Sequence, residues 1–199
     1  MKRLTALCLT LSLLVGGCAP QVIVKHPPLP GQKIRVAVLP FKDAAGAPGS
    51  GMIAMEAMTT YLMTIPAYEI IERGALEQIV KEQNLGITGA IDAETAAKLG
   101  KLTGADALVI GAVTQYQQRN FMIFPPAKAT ITARMVRTDT ATVDWTATHT
   151  LGWHPVKWAV SFFWPLGVIF VMTSPSAEDR LSKAVKEITK TLNKESEKK

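Results

Sequence analysis

Residues Ala107–Val113 read Ala-Leu-Val-Ile-Gly-Ala-Val, an unbroken apolar run. A strand with one wet face alternates, so a run with no polar position has to be covered on both sides. This run ends a longer block that begins at Tyr68. A strand over Tyr68–Glu72 comes first. A helix after Gly74 turns Leu76, Ile79 and Val80 inward and pairs Glu77 with Lys81 outward. The loop Gly-Ile-Thr-Gly-Ala-Ile follows, then an Ala-rich helix with Asp92 as N-cap, Glu94 in its first turn and Gly104 as its stop. Strand, helix, loop, helix and doubly covered strand together predict a layered α/β domain.

The flanking chain fits the same plan. Ile34–Phe41 is nearly apolar on both faces, a second interior strand. Asp43–Gly51 is a small-residue loop. Its Gly49-Ser50-Gly51 is not followed by Gly-Lys-Ser/Thr, so it reads as a flexible helix entry rather than a phosphate loop. A helix over Met52–Ile65 places Ala54, Met58, Tyr61 and Ile65 on one face and ends before Pro66. Met52, Met55, Met58 and Met63 are expected to fill core gaps. After Thr114 the pattern changes to alternation. Ala129, Ile131, Ala133 and Met135 interleave with Thr130, Thr132 and Arg134. Val143, Trp145 and Ala147 interleave with Thr142, Asp144, Thr146 and Thr148. These are two half-buried antiparallel strands turning near Asp139. Ala177, Leu181, Ala184, Val185, Ile188 and Leu192 trace the apolar stripe of a closing helix, capped by Ser174 or Ser176 with Glu178 and Asp179 in its first turn.

The N-terminus is a targeting segment. Lys2 and Arg3 precede the apolar stretch Leu4–Val15, which is too short to span a bilayer, and the segment closes with Val15-Gly16-Gly17-Cys18. Small residues before a cysteine resemble the lipobox of bacterial lipoproteins, which implies a signal peptide over residues 1–17, cleavage before Cys18, and acylation of that residue with diacylglycerol and a further acyl chain. Cys8 lies in the removed segment, so no intrachain disulfide forms. Each buried methylene contributes about 0.8 kcal/mol, which makes several acyl chains a stable anchor. Ala19, where inner-membrane lipoproteins tend to carry Asp, implies the outer membrane of a Gram-negative bacterium. Residues 18–32, with Pro20, Pro27, Pro28 and Pro30, read as a Pro-rich tether, extended in part. Residues 33–195 form the domain, and the tail to Lys199 mixes both signs of charge. The mature chain carries 20 Lys and Arg (22 less Lys2 and Arg3) against 16 Asp and Glu, with no nucleic-acid motif behind the modest excess.

Several of these stretches taken together resemble one family. Arg35-Val-Ala-Val-Leu-Pro-Phe41, Glu72-Arg73 opening a helix, Gly86-Ile-Thr-Gly89, Ala97-Lys-Leu-Gly100 and Gly104-Ala-Asp-Ala-Leu-Val-Ile-Gly111 look like the CsgG family of outer-membrane lipoproteins, of the curli production, assembly and transport type. The resemblance covers about Lys33 to Thr150 and the closing helix. It implies an α/β domain facing the periplasm: a mixed sheet flanked by helices, similar to the TolB N-terminal domain and anticodon-binding-domain folds, in the order β-α-β-α-α-β-β-β, an apolar segment, and α. It implies no cofactor and no catalytic centre. Some members assemble into ring-shaped secretion channels, each subunit giving β-hairpins to a barrel. Others are scaffold lipoproteins that bind or activate envelope enzymes. This chain departs from the channel pattern. A membrane hairpin needs alternating strands of about nine to eleven residues. Phe121-Met-Ile-Phe124, ahead of Pro125-Pro126, does not alternate, and neither does the connection after Leu151.

That connection is the remaining feature. All four tryptophans lie between Trp145 and Trp164, and residues 158–172 carry no charge. The run is short for a membrane helix and is broken by Pro165 and Gly167. Three readings stay open: a buried strand pair or loop over the sheet, a contact surface for identical subunits or a periplasmic partner, or an interfacial membrane loop. Trp153, Trp158, Phe162, Phe163, Trp164 and Phe170 are the candidate contact residues. His149 and His154, with no carboxylate or Cys partner apparent in the sequence, read as strand and turn residues rather than metal ligands. There is no nucleophile elbow, zinc signature or complete phosphate loop. The expected function is therefore non-enzymatic: a self-associating, lipid-anchored component of envelope or surface-structure (curli-like) secretion or assembly. The alternative is a scaffold or activator lipoprotein that forms no channel.

Overall fold

The computed structural model describes residues 19–71, 93–118, 127–152 and 175–196. These contain β1 (Gln21–Val24), β2 (Ile34–Val38), α1 (Ser50–Leu62), β3 (Tyr68–Ile70), α2 (Ala93–Thr103), β4 (Ala107–Gln117), β5 (Lys128–Arg137), β6 (Val143–Leu151) and α3 (Ala177–Ser196). The strands form one mixed sheet in the order β1-β6-β5-β4-β2-β3. β2 runs parallel to β3 and β4, whereas β4, β5, β6 and β1 are antiparallel neighbours. The expected mixed α/β sheet with flanking helices is what the chain forms.

The apolar runs are covered on both faces, as their lack of alternation requires. On one face α1 and α3 pack over Val36, Val38, Val109, Val113, Ile131, Met135 and Trp145, with Leu181, Val185 and Ile188 of α3 in the same core. On the other, Leu99 of α2 closes a smaller core with Ala37, Leu39, Leu108, Ile110 and Val136. Further along that second face the strands turn out Thr132, Arg134, Thr146 and Thr148, which accounts for the alternation in β5 and β6.

Three expectations change. Gln21–Val24, read as part of the tether, is an edge strand in register with β6, Gln21 opposite Thr148 and Val24 opposite Trp145. Val22 and Val24 alternate inward and pack on the main core while Ile23 stays 59% exposed. The element order thus gains a strand ahead of Ile34. Of the four helix methionines, Met55 and Met58 are buried, but Met52 and Met63 are exposed. At about 100° per residue those two point well away from the face set by Ala54, Met58 and Leu62. Asp43–Gly51 is held rather than flexible. The Asp43 carboxylate accepts the Gly49 and Gly51 amides at 3.0 and 2.6 Å, and the Ser50 hydroxyl accepts the Ala44 amide at 3.0 Å. A Cβ on Gly51 would collide with the Phe41 carbonyl, so the entry of α1 sits directly on the chain just past β2. Gly104, in the left-handed region at φ 68°, ends α2 as expected. The helix after Gly74 and the Asp92 cap lie outside the described residues.

Candidate functional site at one end of the sheet

β4, β5 and β6 rise well beyond β2, and the register places their far ends together. Gln117 stands opposite Lys128, and Ala129 opposite Leu151. β1 enters the sheet near the same end, since Gln21 is opposite Thr148 and Thr148 opposite Thr132. Three chain connections therefore meet there: the N-terminal approach at Ala19 and Pro20, the β4–β5 connection between residues 118 and 127, and the β6–α3 connection between 152 and 175.

The start of α3 is pinned to this end. Ser176 and Asp179 form a reciprocal cap. The Asp179 amide donates to the Ser176 hydroxyl at 3.1 Å, and the Asp179 carboxylate accepts the Ser176 amide and hydroxyl at 3.0 and 2.8 Å. Of the two serines proposed as caps, Ser176 does it. These bonds hold the Asp179 carboxyl below the usual carboxylate range. One turn on, Arg180 is only 8% exposed and its Nη1 donates to the Gly152 carbonyl at 2.9 Å. Tyr116 lies near the same end, and burial, then the charge of Glu178, raises its hydroxyl pKa.

The candidate residues named from the sequence stand on either side of this geometry. Cys18 immediately precedes Ala19. Trp153, Trp158, Phe162, Phe163, Trp164 and Phe170 all fall in the connection from Gly152 to Pro175. These seven, with His154, lie outside the described residues. The end of the sheet they adjoin is described, and the described residues next to them, Ala19 and Gly152, both lie toward it although 133 positions apart in sequence.

His149 has the carboxylate partner that its sequence neighbours do not show. It is 2% exposed, and its Nε2 lies 2.7 Å from Glu187 Oε2 on α3. That pairing crosses 38 residues, and the only sequence signal for it is that Glu187 borders the apolar stripe of α3. A single His–Glu pair supplies two ligands, short of the three or four protein ligands of an ordinary zinc site. A second buried polar group sits at the opposite end of the sheet. Asp144 lies 3.0 Å from Arg137 and 3.6 Å from His26, and its backbone carbonyl accepts the Lys25 and His26 amides. Burial raises its carboxyl pKa, against the opposing pull of Arg137 and His26. Burial pushes the nearby Tyr68 hydroxyl up to about 12. This cluster fastens the end of β1 to the β5–β6 hairpin, which is a structural task.

Among the described residues no helix is long and apolar enough to cross a membrane, which says nothing of strands. The fold is similar to that of PelC from Paraburkholderia phytofirmans, solved as a dodecamer: TM-score 0.52, 13% identity, 85% of this chain and 95% of that one. It is also similar to lipoprotein GNA1162 from Neisseria meningitidis, with TM-score 0.50, 18% identity, and 71% and 99% of the two chains. No curated protein matches the sequence. The family described as curli production assembly/transport component CsgG matches residues 20–120, just over half of the 199, and the chain belongs to that CsgG family.

Proposed function

We propose that this chain is a lipid-anchored, non-enzymatic subunit of an outer-membrane assembly that serves secretion or construction of an envelope or surface structure. In this reading the signal segment 1–17 is removed, Cys18 is acylated, and the α/β domain lies in the periplasm with the far end of β4, β5 and β6 toward the membrane. The aromatic connection 153–173 then meets either the membrane interface or a neighbouring copy.

One observation carries the reading: the N-terminal approach and the aromatic connection leave the sheet at the same end. β1 begins at Gln21, so three Cα steps, at most about 11 Å, separate it from Cys18. An acyl anchor on that residue draws this end of the sheet to the bilayer and brings the aromatic connection with it. Trp and Phe favour that depth, and they favour subunit interfaces as well. Family membership supports a role in assembly or transport, and the dodecameric state of PelC supports self-association.

Light scattering on the detergent-solubilised, acylated protein tests this. A ring-sized oligomer is expected, falling apart when residues 158–172 are replaced by a polar linker. A clean monomer overturns self-association and leaves the scaffold lipoprotein that binds a periplasmic partner.

A further inference from the structure

Two surfaces on opposite sides of the sheet carry matching patterns. The first is the open part of the second face. The register sets Ile23, Thr146, Arg134 and Ile110 side by side across β1, β6, β5 and β4. Ile23 is 59% exposed. Arg134 is half-buried, and among the described residues its guanidinium has no ion pair or hydrogen bond. A depression of about 350 Å³ opens beside Ile110, Ala112 and Thr132. Strands stand about 4.8 Å apart, so an exposed apolar side chain lies about 10 Å from Arg134 on one side and the depression about 5 Å away on the other. The second surface is the outer stripe of α1. Met52, Glu56 and Met63, the C-cap, fall within about 40° of one another around the helix axis, and all three are exposed. At 1.5 Å per residue, Met63 lies about 10 Å from Glu56 on one side and Met52 about 6 Å away on the other. Glu56 is the one charge on α1.

Taken singly, an exposed Met or Ile or an open face of threonines is ordinary. The shared order, the near-equal spacing and the opposite charges are what single out this pair of surfaces. The other described helices suit Arg134 poorly. α3 turns out Lys183, Lys186, Lys190 and Lys194, and α2 exposes Lys98 and Lys101. α1 and Arg134 lie on opposite faces of one sheet, so the match cannot close within a chain. We propose that the outer stripe of α1 docks across the Ile23–Arg134 row of a second copy, with Glu56 against Arg134, Met63 over Ile23 and Met52 in the depression. Such a head-to-tail contact repeats from copy to copy and closes into a ring when its rotation divides a full turn. The inference rests on the self-association proposed for the chain and gives it a surface separate from the aromatic connection.

Light scattering on the full acylated protein in detergent reads the mass. Arg134→Glu, and separately Glu56→Arg, should each raise the dissociation constant of the oligomer about ten- to a hundredfold. Combining the two restores opposite charges and should recover the unsubstituted mass, which a merely misfolded variant does not do. In Ile23→Cys with Met63→Cys, mild oxidation by copper phenanthroline should join neighbouring copies into a ladder of covalent multimers, because within one chain the two positions lie on opposite sides of the sheet. An undiminished mass in either single charge variant, no recovery in the combined one, or no ladder overturns this interface while self-association stands. A monomeric unsubstituted protein overturns both.

Discussion

At the scale of single residues, the informative positions are polar groups whose partners lie far off in sequence. His149 is held in the core by Glu187 across 38 residues. Removing the carboxylate leaves a buried imidazole without its partner, which costs about 1–3 kcal/mol, while removing both groups leaves nothing unsatisfied. Glu187→Ala should therefore lower the urea midpoint of unfolding more than the double variant His149→Leu with Glu187→Ala. Additive losses in that cycle would count against the pair. Asp43 makes a prediction in pH. The Gly51 and then the Gly49 amide hold its carboxyl below the usual carboxylate range. A depressed carboxylate contributes stability above its unfolded pKa and loses it as pH falls through the folded one. Asp43→Asn should thus flatten the loss of stability below about pH 4, as read by urea melts at pH 7 and pH 3. An acid limb identical to that of the unsubstituted protein would remove Asp43 from the account.

At the scale of elements, β1 is the clearest departure from a sequence reading. Four prolines between residues 19 and 32 spoke for a tether, and the Val22/Val24 alternation is too short to outvote them. What makes Gln21–Val24 a strand is the open edge of β6 beside it and the clasp of Lys25 and His26 on the Asp144 carbonyl. An edge with unpaired backbone groups recruits any extended segment that presents apolar side chains to the core. Replacing Gln21–Val24 by Gly and Ser should speed hydrogen exchange at the β6 amides that face β1, between Trp145 and Thr148. Unchanged protection there would show that β1 does not pair. By contrast α3 was legible throughout, because its stripe from Ala177 to Leu192 spans about four turns and its cap is local. The methionines of α1 divide for the same geometric reason, helical phase, which residue type alone does not reveal.

At the scale of the whole molecule, the sheet has unlike ends. One end gathers the N-terminal approach, the β4–β5 connection and the aromatic connection; the other carries the Asp144 cluster. Cys18→Ser should move the protein from the membrane fraction to the soluble periplasmic fraction. Full retention in membranes would assign the anchoring to residues 153–173 instead. Inserting about ten Gly and Ser residues between Ala19 and Pro20, which adds roughly 17 Å of mean reach, should preserve the anchor while reducing tryptophan quenching by brominated lipid. Undiminished quenching would mean that the short connection is not what sets the orientation.

Sequence alone determined the layered α/β class, the family, the doubly covered strands and the closing helix, because continuous apolar runs and long helical stripes are local signals repeated over many residues. It also carried the candidate anchor at Cys18 and the aromatic connection, as two unrelated points on a line. Only tertiary structure decided that Ala19 and Gly152, which flank the anchor and that connection, lie toward one end of the sheet, that His149 has a carboxylate, and that Arg180 sits buried against Gly152. Those facts depend on strand order and register, which are set by which edges and faces find one another across more than a hundred residues. The run from Ala107 to Val113 required cover on both sides; where that cover came from, and which end it left open, was settled by packing.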